Sequence, residues 1–413
     1  MRTDYDIIIV GARIAGATLA YELGRAGYEV LLVDKGHFPS DVLSTHNVFN
    51  NSLSIFREMG ILDKLLATGT PTYKRAYVQL EDAVIEGTFP EVNGELECLC
   101  IRRTHLDHIL FEHACSVDSV HALQQFRVTG LLREGEVVNG IEGVHSSGDA
   151  VQYKAKLVVG ADGRRSTIRA LAGSKCLTST PTDFASYVGY FKGFRQDDGP
   201  CSEFYKLGEY IAIVFPTSDQ LHVVGLMFPF TNTDLLSRMK ENAETGFQEA
   251  IQTGFGETSF AQRLGEAEAA GPIRGLLGYD NDWHEAMGKG WALIGDALTF
   301  KDPAVGQGMH DAMYSARMLK EVLVRHGLEN FEWEKMASHY ESELTSKFQP
   351  MFGLACEMTR NVPYTPEQNA VNRIIAAHPK ATNVFLGMYN HANEPAELGR
   401  LIGEMLSNPI VQE

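Results

Sequence analysis

The sequence predicts an α/β protein. A parallel, helix-flanked sheet is interrupted by an inserted antiparallel sheet and followed by a helical C-terminal region. Three observations carry this expectation. Short apolar runs at residues 7–10, 30–33, 157–159 and 291–294 each lead into a glycine- or aspartate-bearing turn, as parallel strands buried on both faces do. The stretches YVGYFKGF, EYIAIVFP and LHVVGLMFPF are rich in aromatic and β-branched residues, with turns such as QDDGP between them, and read as antiparallel strands. Residues 346–413 follow a helical pattern with breaks at Pro363, Pro379 and Pro395.

The first unit is a strand, a glycine turn, a helix and a second strand. In IIIVGARIAG, Gly11 permits a tight turn and Gly16 permits close packing of helix on strand. Ala15, Leu19 and Leu23 recur at helical spacing, and Gly27 closes the helix. Asp34 ends the next apolar run, with Lys35 beside it, 23 positions beyond Gly11. That matches the spacing of the acidic residue that hydrogen-bonds a ribose hydroxyl in dinucleotide sites. The middle glycine of G-x-G-x-x-G is replaced by Arg13. Either Arg13 turns its guanidinium to a diphosphate at the helix N-terminus, or the turn is a plain strand-to-helix corner with a surface arginine.

Two later stretches decide between these readings. LVVGADGRRSTIRALAG, residues 157–173, carries Asp162 and Gly163 after a strand. WALIGDALTFKDPAVGQGMHDAMYSARML, residues 291–319, carries Gly295 and Asp296 after another. A loop with Pro303, Gly306 and Gly308 follows, then an amphipathic helix from Met309. Such a glycine loop before a helix N-terminus is an anion site.

With Arg103, Leu106 and Leu110 as R-x-x-L-x-x-x-L, these motifs resemble the class A flavoprotein monooxygenases, the para-hydroxybenzoate hydroxylase-like family. Flavin halogenases and geranylgeranyl reductases are its relatives. The resemblance covers roughly residues 5–325. It implies a Rossmann-like FAD-binding domain of the glutathione reductase type. It places Asp34 on the adenosine ribose, Arg103 and Asp162 beside the pyrophosphate, and Asp296 on the ribityl chain. It also implies a discontinuous FAD-binding domain of residues 1–72, 97–180 and 272–345. Residues 73–96 and 181–271 become the substrate domain, and 346–413 a helical C-terminal region without an assigned role.

The implied reaction is hydroxylation of an aromatic or other electron-rich small molecule through a flavin hydroperoxide. O2 is consumed, and NADH or NADPH visits as transient electron donor, since no second dinucleotide fingerprint exists. His46 is the expected catalytic residue, with Tyr190, Tyr205, Tyr210 and His222 as further candidates for deprotonating or orienting a phenol. Three alternatives stay open: a halogenase, a double-bond reductase, and a flavin-binding redox sensor without turnover. The halogenase W-x-W-x-I-P signature is absent, because Trp283, Trp291 and Trp333 are widely spaced. Thr299 and Phe300 stand where the hydroxylases' loop more often carries histidine.

Composition sets limits on partners. A net charge of −17 repels phosphate backbones, so no nucleic-acid partner is expected. No apolar run is long enough to span a bilayer, and MRTDYD leads straight into a strand without a signal-peptide pattern. The six cysteines form no C-x-x-C pair. They read as buried small hydrophobes of a cytoplasmic protein, and no metal site is expected. Oligomeric state is left open.

Overall fold

The computed structural model of this chain describes residues 3–42, 44, 46–146, 148–329 and 331–407. Its first sheet runs in the order Met287–Gly288, Trp291–Leu293, Ala150–Gly160, Asp4–Val10, Val30–Val33 and Val120–Leu123. All pairs beyond the Met287–Gly288 edge are parallel. Ile7 lies between Leu157 and Val30, so the first strand is central. Ile7, Ile8, Ile9, Leu32, Leu157 and Val158 are fully buried, each worth about 1.5–3 kcal/mol of apolar burial. The strand Ala150–Gly160 is longer than the apolar run at 157–159 because its first half, which alternates exposed and buried residues, pairs with a half-buried antiparallel meander, Phe126–Glu134 and Val137–His145. The continuous apolar run marks only the half that is buried on both faces.

Helix Ile14–Arg25 buries Ala15, Leu19 and Leu23, and ends before Gly27, whose φ is 89°. It packs against helices Arg103–Cys115 and Gly308–His326. These contacts bring the three motif-bearing turns to one end of the sheet.

The second sheet runs Ala83–Thr88, Arg75–Leu80, Cys201–Leu207, Tyr210–Thr217, Leu221–Pro229 and Phe184–Lys192, with two short strands on the last. Its pairs are antiparallel except Arg75–Leu80 on Cys201–Leu207, which is parallel. Those two strands come from distant parts of the chain, so no hairpin imposes their direction. Alternate residues divide between two cores. Ile211, Ile213 and Phe215 face one, packed with Ile375, Leu386 and Leu401 of the C-terminal helices. Ala212 and Val214 face the other, packed with Phe247, Phe255 and Phe260 of helices Ala243–Phe255 and Ser259–Gly265.

Helix Trp333–Met358 runs through the division expected at residue 345. Leu344 and Phe348, on either side of it, both belong to the parallel-sheet core, so the helical face and not a linker governs this segment. The cysteines also differ from expectation. All six are free, and Cys98, Cys100 and Cys201 are buried, but Cys176 is exposed on its edge strand. No helix among the described residues is long and apolar enough to cross a membrane.

Candidate cofactor site

The first turn is built by steric exclusion. Gly11 has φ 105°, and a Cβ there would lie 2.3 Å from the Ala161 carbonyl oxygen. A Cβ on Gly16 would lie 1.8 Å from the Gly11 carbonyl oxygen. Both positions therefore demand glycine. Asp34 ties the second strand to this turn. Its carboxylate accepts from the Ala12 N–H at 2.8 Å and the Gly36 N–H at 2.7 Å, and each oxygen keeps a lone pair for a further donor.

A cavity of about 520 Å³ opens beside the turn, within the usual range of small-molecule sites. Gly11, Arg13, Ala15, Asp34 and Lys35 line one end. Arg103, Asp162 and Asp296 line its walls, and Pro303, Gly306, Gly308, Met309 and His46 also border it. Gly16 and Gly295 do not border the cavity. Gly295 has φ 57°, and its Cβ would come 3.0 Å from that of Ala15, so it admits the first helix, and its N–H donates to Ser315 Oγ at 3.0 Å. Asn47, Phe126, Arg127, Arg165, Thr167 and Lys301 line the cavity too, and sequence reasoning did not single them out.

The charge balance favours an anion. Arg103 Nε donates to both oxygens of Asp107 at 2.9 Å, and its Nη2 lies 2.8 Å from Oδ2. Arg13 Nε is 3.9 Å from the same oxygen. Asp107 is completely buried, so one carboxylate serves two guanidiniums and one positive charge is in excess. Burial and the Arg103 charge both lower the Arg13 pKa. Asp107 escaped the sequence reading, although its i,i+4 spacing from Arg103 is a signal.

The aspartates divide into two kinds. Asp162 is saturated by its own loop: it accepts from Ser166 Oγ at 2.5 Å and from the Thr167 and Ile168 N–H groups at 2.6 and 3.2 Å. It shapes the turn that Gly163 makes at φ 80°. Asp302 is likewise committed, accepting from Tyr279 and from the Ala304 N–H, and so anchors the Pro303–Gly306 loop. Asp296 borders the cavity and takes no hydrogen bond from the described residues. Burial pushes its pKa up to about 6.

The FAD binding domain family matches residues 4–330 of this sequence. The chain belongs to that family. It is 25% identical over 319 residues to a 1H-pyrrole-2-carbonyl-[peptidyl-carrier protein] brominase of Pseudoalteromonas luteoviolacea, covering 75% of this chain and 74% of that protein. It is 24% identical over 356 residues to digeranylgeranylglycerophospholipid reductase 1 of Methanococcoides burtonii, covering 84% and 81%. The solved structure of a flavin-dependent brominase superposes with a TM-score of 0.81 at 19% identity, over 98% of this chain and all of that one. That likeness shows the fold.

The residues present fit FAD. The Gly11 turn brings backbone close to the cavity, the excess guanidinium charge suits a diphosphate, and the free Asp296 carboxylate suits hydroxyl donors. Helix Gly308–His326 starts at the cavity wall, and its first-turn N–H groups have no acceptor within the helix.

The candidate side chains for substrate chemistry separate. His46 is buried at φ 28°, with Nε2 3.3 Å from Thr217 Oγ1 and its ring 5.6 Å from that of Tyr190. Burial and the Arg103 charge hold its pKa near 3. It does not cap the next helix, whose N-cap is Phe49. Tyr190 lies beneath the Arg102 guanidinium at 4.7 Å, and burial raises its pKa to about 12. Tyr205 donates to Glu203 at 2.5 Å, within a network closed by Arg263. His222 lies tilted against Phe194, and Tyr210 meets Phe255 edge-to-face. Tyr205 and Tyr210 pack into the core on the other side of the sheet. Neither they nor His222 borders the cavity.

A second compartment of about 40 Å³ adjoins the first. Phe49, Phe89, Phe215, Leu386 and Tyr389 make it apolar, and Pro303 and Gly306 border both.

Proposed function

We propose that this FAD-dependent oxidoreductase is a monooxygenase that hydroxylates an apolar, electron-rich small molecule, with NADH or NADPH as electron donor. The carrying observation is the FAD-sized cavity, which at Pro303 and Gly306 meets an apolar wall of Phe49, Phe89, Phe215, Leu386 and Tyr389; the 40 Å³ of space along that wall takes the edge of a substrate and not a whole ring. When bound, FAD supplies the redox and oxygen chemistry. The chain's own residues bind and orient. Arg13, Arg103 and the turn N–H groups would hold the diphosphate, Asp34 a ribose and Asp296 the ribityl hydroxyls. The start of helix Gly308–His326, at the cavity wall, would offer its N–H groups and partial positive charge to anionic parts of the cofactor. The inserted sheet, with the C-terminal helices over it, forms the substrate domain and excludes water from the apolar compartment.

His46 orients and does not deprotonate. A base with a pKa near 3 is too weak to take a phenol proton at neutral pH. As a neutral imidazole it can hydrogen-bond a substrate hydroxyl.

Halogenation is the second reading, favoured by the likeness to the pyrrolyl brominase over three-quarters of the chain. One experiment separates the readings. The purified yellow protein is given NADH, NADPH or separately reduced flavin, with phenols and pyrroles, with and without halide. Substrate-stimulated oxygen uptake with an oxygenated product is expected. Product that requires halide selects the halogenase, and product without oxygen uptake selects a reductase. No turnover with any donor overturns the enzymatic reading.

A further inference from the structure

Three side chains that the proposed chemistry does not use converge behind the loop. His310 and Asp311 lie in the first turn of helix Gly308–His326. His391 lies in the link between helices Pro379–Tyr389 and Pro395–Ser407. One ligand atom from each lies within 4.8 Å of the others. We propose that His310, Asp311 and His391 bind a divalent transition-metal ion of the zinc type, which pins the C-terminal helices to the start of helix Gly308–His326.

The geometry carries this. His310 Nδ1 and Asp311 Oδ1 are 3.3 Å apart. That is long for a hydrogen bond to a carboxylate, about 2.7–2.9 Å when charge-assisted. It matches the edge between two ligands about 2.0–2.1 Å from a tetrahedral ion, about 3.4 Å. His391 Nε2 is buried with no partner among the described residues. Its backbone sits at φ 58°, a left-handed conformation that side-chain-bearing residues adopt at a cost and that recurs at functional sites. The rings of His310 and His391 stack at 4.6 Å.

The Lys301 ammonium, 2.6 Å from Asp311 Oδ2, opposes a further cation but also orients the carboxylate. It occupies Oδ2 and leaves Oδ1 towards the imidazoles, as outer-shell partners of metal ligands do. The donor set, two imidazoles and one carboxylate oxygen, disfavours Mg²⁺ and Ca²⁺, which rely on several oxygen ligands. Two imidazoles suit zinc, cobalt, nickel or copper.

The test uses the full-length, FAD-loaded protein, treated with chelator and then dialysed against Zn²⁺. One ion per chain is expected by elemental analysis, with a rise in melting temperature. His391→Asn removes the ring while keeping a residue that tolerates positive φ. It should weaken Zn²⁺ binding at least about tenfold, abolish the Zn²⁺-dependent rise in melting temperature, and leave FAD content unchanged. His310→Ala should behave alike. No retained zinc, or equal affinity in the wild type and a folded His391→Asn, overturns the proposal.

Discussion

Asp296, proposed to hold the ribityl hydroxyls, is a buried acid beside the cavity whose ionisation is costly in the FAD-free chain. Its folded pKa, about 6, lies above the ordinary 3.8, so the folded chain holds this proton more tightly than the unfolded chain. The stabilisation is present below pH 4 and is lost as pH rises through 6. FAD-free Asp296→Asn protein should therefore melt higher than wild type above pH 6, and the difference should vanish near pH 4. A pH series of melting curves checks this, and a constant difference would place the ionised carboxylate in a satisfied site. With FAD the sign reverses. Asp296→Ala loses a hydrogen bond to a charged group, about 1.5–3 kcal/mol, or roughly ten- to a hundredfold in affinity. Arg13 offers a parallel comparison by flavin fluorescence. Arg13→Ala should bind FAD more weakly than wild type, and Arg13→Gly should recover part of the loss by closer backbone approach. Three equal dissociation constants would remove Arg13 from the diphosphate site.

At the scale of elements, helix Arg103–Cys115 contributes a pair and not a lone arginine. Asp107, buried between two guanidiniums, fixes where Arg103 points. Asp107→Asn leaves those charges uncompensated and should destabilise the FAD-free protein by about 3–5 kcal/mol. The loss should be smaller in the FAD-bound protein, where the diphosphate supplies the missing negative charge. Equal losses in urea unfolding of both forms would mean that the diphosphate lies elsewhere. This element also shows what sequence conveys. Gly11, Asp34 and Asp296 were legible because each sits at a fixed offset from a buried strand, where local backbone geometry dictates residue type. Asp107 was legible in principle, one helical turn from Arg103. Gly16 was legible as a packing glycine, whereas the close approach of Gly295 to Ala15 needs the first helix in view. The Lys301–Asp311 pair and His391 were not legible, since His391 reaches His310 only through the packing of the C-terminal helices. The resemblance placed Asp162 beside the diphosphate, but only coordinates show its oxygens spent on Ser166, Thr167 and Ile168.

In the whole molecule, two sheets with different duties meet at one loop. The parallel sheet presents turns to the larger cavity, while the second sheet and C-terminal helices enclose the apolar compartment. The Pro303–Gly306 loop stands between them, held from below by Asp302 and from the C-terminal side by Gln307. The Gln307 side chain donates to the Met388 and Tyr389 carbonyls at 3.2 Å. Leu386 borders only the smaller compartment, is fully buried, and packs on the strand Ala83–Thr88, where a Cβ at Gly87 would come 2.9 Å from its Cδ1. Leu386→Ala should cost about 2–5 kcal/mol of stability, as core truncations of this type do, and should widen the compartment. If that compartment receives substrate, the variant should accept bulkier aromatic substrates while its FAD dissociation constant stays at the wild-type value. Substrate-dependent oxygen uptake across a size series, with flavin fluorescence titrations alongside, measures both. A matching loss of FAD affinity would show the two spaces acting as one site. An unchanged size profile in a folded variant would place the substrate away from the C-terminal helices.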